Sequence, residues 1–131
     1  MTTVATAPQD ISARRKVLLA EDSPLVAMSL ETLFEDMDWD MEGPATRLAE
    51  ALALAETTDA DIALLDVNLD GEMSWAVADV LKSRGVPFVF ATGYDGASML
   101  PETHGDARLV SKPFQITELE VLLREIVGEA L

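Results

Sequence analysis

A chain of 131 residues, 49% of them hydrophobic, has room for one buried core but not for two ordinary domains. No apolar stretch approaches the roughly 20 residues of a membrane-spanning helix, the absence of cysteine excludes disulfide scaffolds and thiolate metal sites, and the opening residues carry no secretory signal, so a cytoplasmic home and no membrane partner are expected. A net charge of -15 opposes nucleic acid and anionic lipid, which demand clustered Lys and Arg, and the expected partner is another protein.

Residues 1–15 lack periodicity and read as a flexible leader that ends in Arg14, Arg15 and Lys16. The apolar run Val17 to Ala20 reads as the first strand. Ser23 can then cap a helix with Pro24 at its first position, and Val26, Leu30, Leu33, Phe34 and Met37 recur at helical spacing. Met41 to Pro44 reads as a weak edge strand. Leu48, Ala51, Leu52 and Ala55 place a stripe of mostly small residues on a second helix. Strand 62–66 leads through Asp70-Gly71 to a third helix, where Val77, Val80 and Leu81 share a face and Gly85 is the stop.

A fourth strand, 86–91, follows at once. In 93–106, Gly93, Gly96, Pro101 and Gly105 crowd the place where a fourth helix belongs, so any helix there is short or irregular. Strand 107–111 precedes a last amphipathic helix built on Ile116, Leu119, Leu122, Leu123, Ile126 and Val127, closed by Gly128, and 129–131 read as a tail. Strands apolar on both faces and alternating with helices predict an α/β fold, a doubly wound five-stranded parallel sheet covered on both sides, over 16–128.

Each strand ends in a reactive group. Glu21-Asp22 follows the first, Asp66 closes the third, Thr92 follows the fourth and Lys112 the fifth. Parallel sheets gather ligands at the carboxyl ends of their strands, so these groups are expected to converge on a divalent metal and a phosphoryl group.

Four motifs, Leu19-Ala20-Glu21-Asp22-Ser23, Leu64-Leu65-Asp66-Val67-Asn68-Leu69, Phe90-Ala91-Thr92-Gly93-Tyr94 and Ser111-Lys112-Pro113-Phe114, together resemble those of a response-regulator receiver domain of two-component signalling. The third also resembles the FAT GUY subgroup, often stand-alone regulators working with HWE-type histidine kinases in bacterial stress responses. The resemblance implies a flavodoxin-like receiver fold with strand order 2-1-3-4-5. It implies Asp66 as phosphoacceptor, with Asp22 and Asp66 as direct ligands of Mg²⁺ (or Mn²⁺), Glu21 acting through water and the Asn68 backbone carbonyl as a further ligand. Thr92, Gly93 and Lys112 would bind phosphoryl oxygens, and Lys112-Pro113 would be cis.

By this resemblance the chain would be a single-domain response regulator. It would accept phosphate from a histidine kinase or phosphotransfer protein and act by binding a downstream protein, by shuttling phosphate or by draining it, and it would not be an enzyme in the ordinary sense. Two departures stand out. The position three residues before the lysine, an aromatic switch in most receivers, is Leu109, and Asp70-Gly71 replaces a proline-containing loop. Signal output is therefore expected in residues 93–106, with Tyr94 as anchor.

Plainer readings exist for each residue. Asp66 could form a turn, Asp22 cap a helix, Glu21 be a solvated neighbour, Thr92 suit a strand end and Lys112, one of three lysines, be a surface residue. Their joint occurrence favours the site. His104 reads as an exposed loop residue, the six methionines as core fillers, Trp39 and Trp75 as no stacking platform, and Glu31, Glu35, Asp36, Asp38, Asp40 and Glu42 as a solvated acidic face. Rival functions are a small Mg²⁺-dependent aspartyl phosphohydrolase, which would want an acid where Asn68 stands, and an unphosphorylated pseudo-receiver that only binds protein.

Overall fold

The computed structural model describes residues 14–93 and 100–129. Five parallel strands lie in the order β2-β1-β3-β6-β7, and a two-stranded antiparallel hairpin, β4-β5, stands apart. The strands are β1 (Lys16–Ala20), β2 (Asp40–Ala45), β3 (Ile62–Asp66), β4 (Asn68–Leu69), β5 (Glu72–Met73), β6 (Phe88–Thr92) and β7 (Arg108–Ser111). The helices are α1 (Pro24–Asp36), α2 (Leu48–Thr57), α3 (Trp75–Ser83) and α4 (Ile116–Val127). Between β6 and β7 the described residues hold only a 3-10 turn, Glu102–His104, in agreement with the expected irregular element.

Strand alternation divides the core in two. Val17, Leu19, Ile62, Leu64, Val89 and Ala91 face α1 and α4, meeting Leu30, Phe34, Leu119 and Leu123. Leu18, Ala20, Ala63, Leu65 and Phe90 face α2 and α3, meeting Ala51, Ala55, Val77 and Leu81. Adjacent residues of one strand thus serve opposite layers, the reason these runs are apolar without interruption. Each large side chain fully withdrawn from water contributes about 1.5–3 kcal/mol before entropy is charged against it.

Helix ends are closed by named groups. Ser23 accepts from the Val26 N–H at 3.4 Å as the N-cap of α1, with Pro24 at the first position as expected. Arg84, just past α3, donates from Nη1 to the carbonyls of Ala55 and Thr58, both at 2.8 Å, and so satisfies the end of α2. Gly128 ends α4 in the left-handed conformation.

Some boundaries differ from expectation. β2 is longer than the weak strand expected, with a register irregularity against β1 between Leu18 and Ala20. At Gly43, φ is 103° and a Cβ would lie 2.5 Å from the Leu19 carbonyl oxygen, so only glycine permits this approach. β6 begins at Phe88 and contains Thr92. The β4-β5 hairpin was not foreseen. Arg14, Arg15 and Glu129, which the sequence reading leaves in leader and tail, pair with the domain: Arg14 with Asp40 at 3.0 Å, and Arg15 with Glu129 at 3.2 Å and Asp61 at 3.7 Å.

His104 corrects the sequence reading most plainly. It is 2% exposed, edge-on to Phe88 and Phe90, with Nε2 2.8 Å from Asp79 Oδ1 on α3. The cause is long-range, two aromatic rings on β6 and an acceptor on α3. Met28 is 62% exposed and so is no core filler, while Met37 is buried. Trp39 stacks on Phe34, and Trp75 meets Phe90 edge-on, as core aromatics. Most of the acidic face is exposed, but Glu42 is half-buried and accepts from the Thr58 hydroxyl.

Candidate functional site

The carboxyl ends of β1, β3, β6 and β7 bring together the groups that the sequence scatters. Glu21 and Asp22 leave β1, Asp66 ends β3, and one carboxylate oxygen from each lies within 4.8 Å of the others. Lys112, one residue beyond β7, reaches Asp66 Oδ2 at 2.8 Å and Glu21 Oε1 at 2.9 Å. Register explains the convergence. Asp66 pairs with Ala91 and Thr92 with Ser111, and the Lys112 N–H donates to the Thr92 carbonyl at 2.9 Å. The Lys112-Pro113 peptide is cis.

Backbone donors fix the acids further. Ser23 N–H donates to Glu21 Oε2 at 2.9 Å, Asn68 N–H to Asp66 Oδ1 at 3.2 Å, and Asp70 N–H to Asp22 Oδ2 at 2.7 Å. Glu21 is 1% exposed, so the solvated-neighbour reading fails for it, and Ser23 rather than Asp22 caps α1. Asp66 and Thr92 are also buried, and the Thr92 hydroxyl donates to the Gly93 carbonyl at 3.3 Å. Among the described residues, a Cβ at Gly93 would meet nothing within 4 Å.

The electrostatics are unbalanced. Burial pushes Glu21 above the usual carboxylate range, and the Asp66 charge adds to this, against hydrogen bonds from Lys112 and the Ser23 N–H. For Lys112, burial pulls the other way, but hydrogen bonds to Asp66 and Glu21 and their charges outweigh it and hold the ammonium above its ordinary value. Three carboxylates against one ammonium leave two negative charges, the complement of a divalent cation. The donors are all oxygen, the set that Mg²⁺ or Mn²⁺ accepts.

Asn68 sits at the base of the β4-β5 hairpin, beside the acids. Leu109 is half-buried on β7, opposite Phe90 in register, and packs into the α2-α3 layer. Tyr94 lies outside the described residues. Sequence reasoning missed the Asp70 amide as a partner of Asp22; its signal was the Asp-Gly pair, a turn sequence that presents backbone N–H groups.

An open parallel α/β sheet with acids, hydroxyl and ammonium at its carboxyl edge defines a class of small signalling domain. The model of the response regulator receiver domain matches residues 17–124, and the chain belongs to that family, the receivers of two-component signalling. It is 34% identical over 113 residues to the phyllosphere-induced regulator PhyR of Methylorubrum extorquens, covering 84% of this chain and 42% of that protein. The chain thus spans under half of that relative's length. Its fold is similar to the solution structure of SdrG from Sphingomonas melonis Fr1, with TM-score 0.76 and 38% identity over 88% of this chain and 98% of that one. The receiver domain of sensor histidine kinase PA1611 from Pseudomonas aeruginosa PAO1, solved with magnesium coordinated in its active site cleft, shares the fold at TM-score 0.73 and 20% identity, covering 89% of this chain and all (100%) of that one. No helix among the described residues is long and apolar enough to cross a membrane.

Proposed function

We propose that this receiver accepts a phosphoryl group on Asp66 from a phosphohistidine of a histidine kinase or phosphotransfer protein. The observation that carries the reading is Asp66 at the end of β3, paired with Lys112 and clustered with the acids Glu21 and Asp22 that follow β1. An Asp66 oxygen attacks phosphorus, the P–N bond breaks, and the freed histidine nitrogen keeps its electron pair. Asp22, Asp66 and the Asn68 carbonyl would hold Mg²⁺ (or Mn²⁺), with Glu21 acting through water; the cation supplies charge neutralisation for the transferring group. Lys112, the Thr92 hydroxyl and the Gly93 N–H would receive phosphoryl oxygens.

Docking would use the rim of this cleft. Ile116 at the start of α4 is exposed and, with Val26 and Ser29 of α1, lines a cavity of about 280 Å³ beside Lys112 and Pro113, while Leu25 and Met28 elsewhere on α1 are 77% and 62% exposed. Exposed apolar side chains on α1 and at the start of α4 fit a protein donor better than a small molecule. Similarity to PhyR and SdrG accords with the FAT GUY assignment made on the Phe90 to Tyr94 run, and from that assignment the proposal takes an HWE-type kinase, a cytoplasmic setting and a stress-response role. The phosphohydrolase alternative lacks an acid at Asn68. Incubation with Mg²⁺ and a small phosphodonor followed by intact-mass analysis tests the proposal. One stable phosphoryl group supports it, rapid turnover of donor would favour the hydrolase, and no reaction would favour a pseudo-receiver.

A further inference from the structure

The three acids of the site are not held alike. Glu21 and Asp66 each have Lys112 as a counter-ion, but among the described residues the Asp70 N–H is the sole donor on Asp22. Asp22 is half-exposed on the loop after β1 and faces two like charges, which would swing its carboxylate toward water. A short bond from a backbone amide to a carboxylate is charge-assisted and opposes that swing.

The amide is aimed by a turn of defined type. Asp70 and Gly71 have φ of 51° and 92°, both left-handed, and they join β4 to β5 as a two-residue hairpin loop. Asn68 Oδ1 accepts from the Gly71 N–H at 2.7 Å and so locks the turn. The hairpin is pinned at its base, where the Val67 N–H donates to the Ala91 carbonyl and the Ser74 N–H to the Val67 carbonyl, both at 2.9 Å. It therefore cannot drift away from the sheet edge.

We propose that the Asn68 side chain is a positioning residue: by closing the β4-β5 turn, it sets the Asp70 amide on Asp22 and preorganises that carboxylate as a ligand before any cation binds. This rests on the reading of the acids as a Mg²⁺ site. It assigns the Asn68 amide side chain a role separate from its backbone carbonyl, one that acts through Asp70 and Asp22 without touching cation or phosphoryl group.

The test uses the full chain and two readouts, amide exchange by NMR without metal and Mg²⁺ affinity by calorimetry. Asn68→Ala leaves the backbone carbonyl in place, yet is expected to speed exchange at the Asp70 amide and weaken Mg²⁺ binding about 10-fold, the scale of losing a supporting partner of a ligand. Asn68→Ser retains a weaker turn acceptor and should fall between. Asp22→Ala should speed exchange at Asp70 alone among the turn amides. Wild-type exchange at Asp70 in the folded Asn68 variants, or wild-type Mg²⁺ affinity in both, would overturn the proposal. If the unaltered chain takes no Mg²⁺, the cation reading fails, and metal-free exchange at Asp70 still decides whether Asn68 governs the grip on Asp22.

Discussion

At the amino end of the sheet acids meet cations, whereas at the carboxyl end they meet each other. Where β1 and β3 begin, Lys16 pairs with Asp59 at 2.6 Å, Arg15 with Glu129 and Asp61, and the Lys16 N–H donates to Asp61 at 2.9 Å. Glu129 also accepts from the Trp39 indole and from Arg124, whose guanidinium lies 6.0 Å from the Trp39 ring. At the other end, Glu21, Asp22 and Asp66 crowd one another, and Lys112 pairs with Glu21 and Asp66 but not with Asp22. One end is arranged for closure and the other for a cation and an incoming anion. The concentration of charge there costs stability in the metal-free state.

Substitutions at the two ends can break or sharpen this contrast. The largest effect belongs to Asp66→Asn, in which a nearly isosteric amide cannot act as nucleophile: labelling by a phosphodonor should vanish in intact-mass spectra while circular dichroism stays native. Asp22→Asn comes next. It should weaken Mg²⁺ binding at least 10-fold by calorimetry and raise the metal-free melting temperature by a few degrees, about 4 °C for each kcal/mol of repulsion relieved. Unchanged affinity and melting would dissolve the contrast.

A smaller effect follows from pH. The raised Glu21 carboxyl favours the metal-free fold while protonated, and that contribution is lost as pH rises from the ordinary glutamate value through the raised one. Metal-free chain should therefore lose stability relative to Glu21→Gln across that window in urea titrations. Lys112 acts in the alkaline range, its contribution being present below the ordinary lysine value and lost as pH climbs through its raised one. The smallest effect is expected at the closed end. Glu129→Gln should cost under about 1 kcal/mol, less in high salt, and leave phosphorylation untouched.

The carboxyl end was the more legible in sequence because its chemistry coincides with strand termini. Glu21-Asp22, Asp66, Thr92 and Lys112 each adjoin an apolar run, so finding the strands found the groups. The sheet and its layers were likewise written in apolar runs and helical stripes, with the edge strand β2 (DMEGPA) the weakest of these signals. What stayed hidden depends on partners far along the chain. His104 is buried by Phe88, Phe90 and Asp79, none of which its own neighbours foretell. Glu129 looks like a tail residue until Trp39 and Arg15 are beside it. The hairpin was concealed by its two-residue strands, too short for any alternation to register, although Asp70-Gly71 marked the turn.

The two outer strands of the sheet differ in a way that bears on self-association. β2 breaks register against β1, and it carries Gly43 in a conformation closed to other residues and Pro44, which offers no N–H. A second chain laid along it would find a bent and incomplete ladder, the usual protection of an exposed margin. β7 has neither proline nor glycine, and its register with β6 runs unbroken from Arg108 to Ser111. Any strand-to-strand growth of this molecule into filaments or swapped dimers would therefore begin at β7, where the sole guard on the strand's own sequence is the charge of Arg108.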